Sequence, residues 1–180
     1  MTVRRATDKD TKLITDFLTV VATADVASSL RMDAAAVANV ATSVKQPETI
    51  YWLSFDGANK LQGVLRLVGN GVSRFDPKEV PWAEKGRVYS VGYLDLMVAL
   101  PSLSDTEKDK VFAELALFAA NDTRDSGTMK EVMMLIGPAA CRAAAFARKL
   151  GTAETGFGPE TRQALPTEKL WDNIPKATNG

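Results

Sequence analysis

Ser104 and Glu107 stand three residues apart in "VALPSLSDTEKDKVFAELALFAAND" (Val98–Asp122). There an apolar, strand-like run breaks at Pro101 and a helix-like run begins. Strand-to-helix junctions of this kind can hold phosphate. They do so through backbone N–H groups, usually on a glycine-rich turn with basic residues nearby. This junction has no glycine, and its first charges are Asp105 and Glu107. An anion held there would have to be met by Ser102, Ser104, Asp105 and Lys108, with Lys110 further into the helix. The spacing S-x-x-E matches a different device, a capping box, in which serine and glutamate close the helix start on each other.

Acid–base chemistry has its own candidates. Asp95 lies in the middle of "RVYSVGYLDLMVAL" (Arg87–Leu100), a long apolar strand. Strict alternation puts Leu94 and Leu96 together on one face and Asp95 on the other, with Tyr89 and Tyr93 sharing its parity. Asp95 is thus a possible general base and Tyr93 a possible proton donor, with Arg66 and Arg87 as charged partners. Glu48, Asp56 and Glu79 are further carboxylates for the same role. The plainer reading is a solvated or ion-paired carboxylate and packing tyrosines. Cys141 near a helix start reads as a reactive thiol or, more plainly, as a small buried residue.

Composition removes other chemistry. The chain has 180 residues, 22 basic and 22 acidic side chains, one cysteine and no histidine. Without histidine there is no His-based metal site, no Ser-His-Asp triad and no Cys-His dyad. No metal centre is expected. One cysteine excludes an intramolecular disulfide framework. Balanced charge gives no signal for nucleic acid or an acidic membrane surface. No apolar run is long enough to span a bilayer, and "MTVRRATDKD" has no apolar leader region. The expected location is the cytoplasm, or a virion assembled inside a host cell.

The elements that must position these residues follow from periodicity. "TVRRA" (Thr2–Ala6) reads as a strand. Thr7 then caps a helix to about Ala24, with Leu13, Ile14, Phe17, Leu18 and Val21 at helical spacing. Asp33–Val44 reads as a second helix capped by Asp33. Thr49–Phe55 and Leu61–Val68 form a hairpin across the turn Asp56–Lys60. Asn70–Gly86 is a long loop that contains Phe75 and Trp82. The strand to Leu100 and the helix after Ser104 follow, with Val111, Leu115 and Phe118 as the apolar face of that helix. Glu131–Gly137 is a short buried strand. Pro138 opens a last helix that Gly151 stops, and a final strand follows. The domain is expected over 1–164, with a polar tail over 165–180 that carries Trp171 and Ile174.

This order, β-α-α-β-β-β-α-β-α-β, resembles the GNAT N-acetyltransferase fold, an α/β (α+β) class with a mixed central sheet flanked by helices. The resemblance covers roughly Thr2 to Phe157. "VRRATDKDTKLITDFL" looks like the opening strand and helix. "AACRAAAFARKLGTAETGF" looks like the last helix and its turn into the next strand, with Ala143, Phe146, Leu150 and Gly151 at matching positions. The resemblance implies that a Q/R-x-x-G-x-G/A loop would hold the pyrophosphate of acetyl-CoA at the junction described above. "SLSDTEK" (Ser102–Lys108) lacks the arginine and both glycines. It also implies an asparagine and a tyrosine on the last helix, where this chain has Ala140 and Ala147. Neither alanine can supply a proton.

The sequence alone therefore leads to a catalytically degenerate GNAT-like domain that uses no cofactor. Such a domain would act as a binding or structural module, and a bacteriophage virion component is one concrete form, by analogy of fold. Its contacts would be a protein partner or a second copy, through Phe75, Trp82, Trp171 and Ile174. The alternative is an N-acyltransferase with a divergent acyl-CoA site, for which acetyl-CoA is the implied cofactor.

Overall fold

The structure, a computed structural model, describes residues 1–24, 37–46, 49–69, 91–126, 131–136, 142–150, 153–156, 161–166 and 173. Strand β1 (Thr2–Arg5) leads through a 3-10 turn (Asp8–Asp10) into α1 (Thr11–Ala24). The short helix α2 (Val40–Ser43) precedes the hairpin β2 (Thr49–Phe55) and β3 (Leu61–Gly69). Strand β4 (Val91–Ala99), helix α3 (Asp105–Ser126) and strand β5 (Glu131–Ile136) form a crossover, followed by α4 (Arg142–Lys149), β6 (Ala153–Gly156) and β7 (Thr161–Pro166). The seven strands make one sheet in the order β1-β2-β3-β4-β5-β7-β6. Every pairing is antiparallel except β4 with β5.

Burial explains why the sheet lies in the middle. On one face Trp52, Leu65, Leu67 and Met97 pack under Val111, Phe112 and Leu115 of α3 and Phe146 of α4. On the other, Leu53, Val64, Leu96 and Val98 pack under α1 and Val40 of α2. Helix α1 buries Ile14, Phe17, Leu18 and Val21, the stripe expected of a helix with one apolar face. A sheet covered on both faces needs strands that are apolar on both sides, and β2 is buried at six of its seven positions.

Local devices hold the layers in place. Asp10 is buried, and Arg4 clamps it with Nη1 to Oδ2 at 2.8 Å and Nη2 to Oδ1 at 2.6 Å. The Thr7 N–H donates to the same carboxylate at 2.8 Å. The arginine's hydrogen bonds outweigh the upward push of burial, so the Asp10 carboxyl stays well below the usual carboxylate range. Trp52 is fully buried, and its Nε1–H donates to Asp122 Oδ2 at 2.8 Å, which ties β2 to the end of α3. In the hairpin turn Asp56 Oδ1 accepts the N–H groups of Ala58 and Lys60 at 2.9 and 2.8 Å. Asn59 takes the left-handed conformation there, with φ of 61°, which asparagine tolerates better than most residues.

Several expectations change. Leu94 and Leu96 do not share a face: Leu94 packs with the α3 layer and Leu96 with the α1 layer. The cause is a bulge. Leu67 stands opposite Leu94 and Arg66 opposite Leu96, so Asp95 is an extra residue without a partner on β3, and one extra residue reverses the parity of the strand beyond it. Phe118 is 38% exposed rather than core. The buried stripe of α3 turns through Phe112, Leu115, Ala116 and Ala119 to meet both the sheet and α4, which leaves Phe118 at its margin. The C-terminal end holds two strands where one was expected, and β7 carries the sheet through Pro166, past the expected start of the tail. Asp33, Arg87, Pro138 and Gly151 lie outside the described residues.

Candidate active-site cleft

The two parallel strands part company. Pairing of β4 with β5 covers Val91↔Glu131 to Leu94↔Met134 and ends there. Strand β4 continues to Ala99 against β3, while Leu135 and Ile136 continue against β7. Among the described residues, the carboxyl ends of β4 and β5 are therefore not joined to each other. The bulge at Asp95 falls at the point of separation, where it bends and twists its strand. A crevice at the carboxyl ends of parallel strands is the usual ligand site of sheets with such crossovers. Backbone groups of two strands that part can pair with an extended amide-bearing chain, as a sheet edge does. Tyr93, opposite Met133, is in the last stretch of pairing before it.

Helix α3 begins six residues after the end of β4, and there the expected capping box is present. The Ser104 N–H donates to Glu107 Oε2 at 2.8 Å, and the Ser104 hydroxyl is 2.7 Å from the same oxygen. The Glu107 N–H donates back to Ser104 Oγ at 3.3 Å. These hydrogen bonds lower the Glu107 pKa from its ordinary value, so the helix start already carries a carboxylate. Ser102, Ser104 and Asp105 are exposed and Lys108 is half-buried. Asp105 does not cap. It faces Arg142 of α4, whose Nη1 is 3.4 Å from Asp105 Oδ2.

Arg142 has a second, closer partner. Its Nε donates to Asp109 Oδ1 at 2.8 Å and its Nη2 to Asp109 Oδ2. Lys149, two turns along α4, reaches Asp109 Oδ2 at 2.8 Å. Burial pushes the Asp109 carboxyl up, but the hydrogen bonds from Arg142 and Lys149 more than offset this and its pKa falls below the ordinary value. The network fastens both ends of α4 to the first turns of α3. It has no local signature, because Asp109 and Arg142 are 33 residues apart.

The opposite face of the sheet has a polar group that sequence reasoning missed in part. Arg66, expected from the sequence as a partner of Asp95, has a neighbour that the sequence did not point to. Its guanidinium lies 5.8 Å from the Tyr51 ring centroid, and its Nη1 donates to the Tyr51 hydroxyl at 3.2 Å. Ser43, at the end of α2, is 2.6 Å from that hydroxyl. Tyr51 and Arg66 are direct cross-strand partners, so only the hairpin register, once known, brings them together.

Other expected site residues fall elsewhere. Ala147 is fully buried in the core beside Phe146 and Leu150, so that position of the last helix offers no hydroxyl. Phe75, Trp82, Glu48, Glu79, Ala140, Cys141, Trp171 and Ile174 lie outside the described residues. Asn173 between the last two donates from Nδ2 to the Leu150 carbonyl at 2.8 Å, which satisfies a carbonyl at the end of α4. Asp56 is held in the hairpin turn by hydrogen bonds from Ala58, Lys60 and Gln62, a structural duty. Among the described residues no cluster of histidine, cysteine and carboxylate could hold a metal ion. No described helix is long and apolar enough to cross a membrane.

Neither a protein-family model nor a curated protein matches the sequence. Solved structures do match in shape. A GNAT-family acetyltransferase from Streptococcus pneumoniae has a TM-score of 0.63 at 14% identity, over 92% of this chain and 98% of that one. Arabidopsis thaliana NAA60 in complex with acetyl-CoA has a TM-score of 0.60 at 11% identity, over 92% and 97%. An aminoglycoside acetyltransferase from an uncultured soil metagenomic sample, in complex with sisomicin, has 0.59 at 13%, over 87% and 91%. Identities this low carry the architecture and nothing finer, and on that architecture the chain has the GNAT fold.

Proposed function

We propose that the protein is an acyl-CoA-dependent N-acyltransferase with a divergent acyl-CoA site. The observation that carries this reading is the separation of β4 and β5 beyond Leu94 and Met134, with a bulge at Asp95 where they part. A fold that had lost its ligand would be under no constraint to leave two parallel strands unjoined at that point. The unjoined strand ends fit an extended amide-bearing arm such as that of an acyl-CoA. The start of α3 fits its phosphates less well, because Glu107 already occupies that end with negative charge. The divergence lies there.

Acyl transfer from a thioester to an amine removes a proton from the amine nitrogen and gives one to the departing sulfur. Ala147 supplies neither service. Asp95 is proposed as the base and Tyr93 as the proton donor, since Tyr93 is in the last stretch of β4–β5 pairing and Asp95 is the bulge residue where the strands part. A bulge bends its strand locally, which is how a sheet re-aims a side chain at a site.

A second reading has its own observation. The Ser104–Glu107 box places a carboxylate where a pyrophosphate would sit, which suits a GNAT-fold domain that has become a binding or structural module. A virion component would be such a module. Titration with acetyl-CoA in a calorimeter, together with an assay for thiol release in the presence of a panel of primary amines, separates the two. Saturable binding with amine-dependent thiol release is expected. Saturation without turnover, or no saturable heat, would leave the binding-module reading standing.

A further inference from the structure

The sheet ends at β1, and only one side of that strand is paired. Just past its end, the Ala6 N–H donates to the Tyr51 carbonyl at 2.8 Å, in register with the β1–β2 ladder. Backbone groups turn to alternate sides along an antiparallel strand. Thr2 and Arg4 therefore turn theirs toward β2, as Ala6 does, and Val3 and Arg5 turn theirs away. Arg4 Nη1 donates to the Arg5 carbonyl at 3.2 Å and covers it. Among the described residues, the Val3 N–H, the Val3 carbonyl and the Arg5 N–H have no partner.

Apolar side chains collect beside these groups. Val3 packs against the α3 layer and is only half-buried. Met1 is on the same side, with its Sδ 3.9 Å from the hydroxyl of Ser54, the residue opposite Val3. Helix α3 packs against β1, and Arg5 holds Asp122 of that helix at 3.0 Å. Phe118 is one helical turn before Asp122, so it borders the strand. Met1 and Phe118 are both exposed. The two arginines add no net charge to this edge, because Asp10 pairs with Arg4 and Asp122 with Arg5.

We propose that two copies of this chain join by antiparallel pairing of β1 with β1, about a twofold axis at Val3. The free groups select both the occupant and the register. Residues opposite each other in a hydrogen-bonded antiparallel pair exchange two N–H···O bonds. Val3 has one free donor and one free acceptor, so on a twofold axis it satisfies Val3 of the second copy. The Arg5 N–H then faces the Met1 carbonyl of the second copy. An axis at Arg4 would set Arg4 against Arg4, and like charges directly opposite destabilise a pair. It would also aim the Val3 N–H at the Arg5 carbonyl that Arg4 already covers. The Val3 axis sets Arg4 opposite Thr2 and gathers Met1, Val3 and Phe118 of both copies on one face. Such an isologous contact is self-complementary and closes at two copies. It does not depend on the acyltransferase reading.

Sedimentation equilibrium of the whole chain, without ligand and over rising protein concentration, reads the association. A reversible dimer is expected. Val3→Pro deletes an N–H that faces away from β2, so the β1–β2 ladder stays whole, and edge strands admit proline at such positions. It should weaken the dimer roughly tenfold or more, because the twofold axis removes two hydrogen bonds at once. Circular dichroism should not change. Phe118→Asp should weaken the dimer as well. In the parent, amide exchange at Val3 and Arg5 should slow as concentration rises, and this reading decides the matter if Val3→Pro fails to fold. A chain that stays monomeric at every concentration would overturn the proposal and leave the edge to a strand of another protein. A dimer that both variants leave intact, or exchange at Val3 that ignores concentration, would overturn it too.

Discussion

Gly63→Ala tests how closely α3 lies on the sheet. Gly63 is the third residue of β3, with Ser54 on one side and Ala99 on the other. A Cβ built there would be 2.3 Å from Val111 Cγ1, 3.0 Å from the Val98 carbonyl oxygen and 3.1 Å from Leu115 Cδ1. Carbon atoms in contact want about 3.5 Å or more, so Val111 would have to retreat by roughly 1 Å. Val111 and Leu115 are fully packed, and neither has an open side to move into. Overpacking of this kind costs about 1–3 kcal/mol. Alanine recovers about 0.5–1 kcal/mol through its smaller entropy loss in a strand. A net loss of about 1–2 kcal/mol remains, which lowers the melting temperature by about 2–8 °C for a chain of this size. Urea unfolding followed by circular dichroism reads the change directly. Val111→Ala, itself destabilising, should suppress part of the Gly63→Ala loss, with a coupling of at least about 0.5 kcal/mol. A Gly63→Ala variant as stable as the parent, or strict additivity with Val111→Ala, would refute the claim that glycine is there to admit the helix.

Two further outcomes rest on the polar devices. Ser104→Ala removes the hydroxyl of the capping box and should cost about 1 kcal/mol; an unchanged thermal midpoint would mean the box adds nothing to α3. Asp10 has a folded pKa held below its ordinary value of 3.8 by Arg4, so its contribution is present above that value and is lost as pH falls below it. Asp10→Asn should therefore be less stable than the parent near neutral pH, and the gap should close below about pH 4; parallel stability curves down to about pH 2 would show that the clamp does not couple folding to protonation.

Much of the architecture was legible because its signals are local. The turn at Asp56–Lys60 announces its hairpin by composition, and the register then follows from loop length. Ser104 and Glu107 announce the start of α3 because both halves of the box lie within one turn. The apolar stripe of α1 needs only its own periodicity. What was not legible depends on partners far away in the chain. The bulge at Asp95 falls where β4 keeps its pairing with β3 and leaves β5, and no pattern within "GYLDLMV" encodes that. "TRQALP" has one large apolar residue and a proline, so it did not read as a strand; pairing with β5 on one side and β6 on the other makes it one. In the candidate site, the parting strands were invisible for the same reason, while Asp95, Tyr93 and Arg66 were identified as a group by strand parity and charge, without the bulge that interrupts that parity.

The position of β7 between β5 and β6 has a consequence for synthesis on the ribosome. Strand β6 leaves the exit tunnel before the strand that links it to the sheet. Until residues 161–166 emerge, β5 has a row of unpaired backbone groups along one side, in a segment, "EVMMLI", that is apolar at five of six positions. The nascent chain thus presents a sticky, unfinished edge until those residues are made. Strand β7 closes that edge on arrival, pairing with β5 at all six positions. Closure of the β5 edge is thereby tied to residues 161–166, although most of the core is encoded well before them.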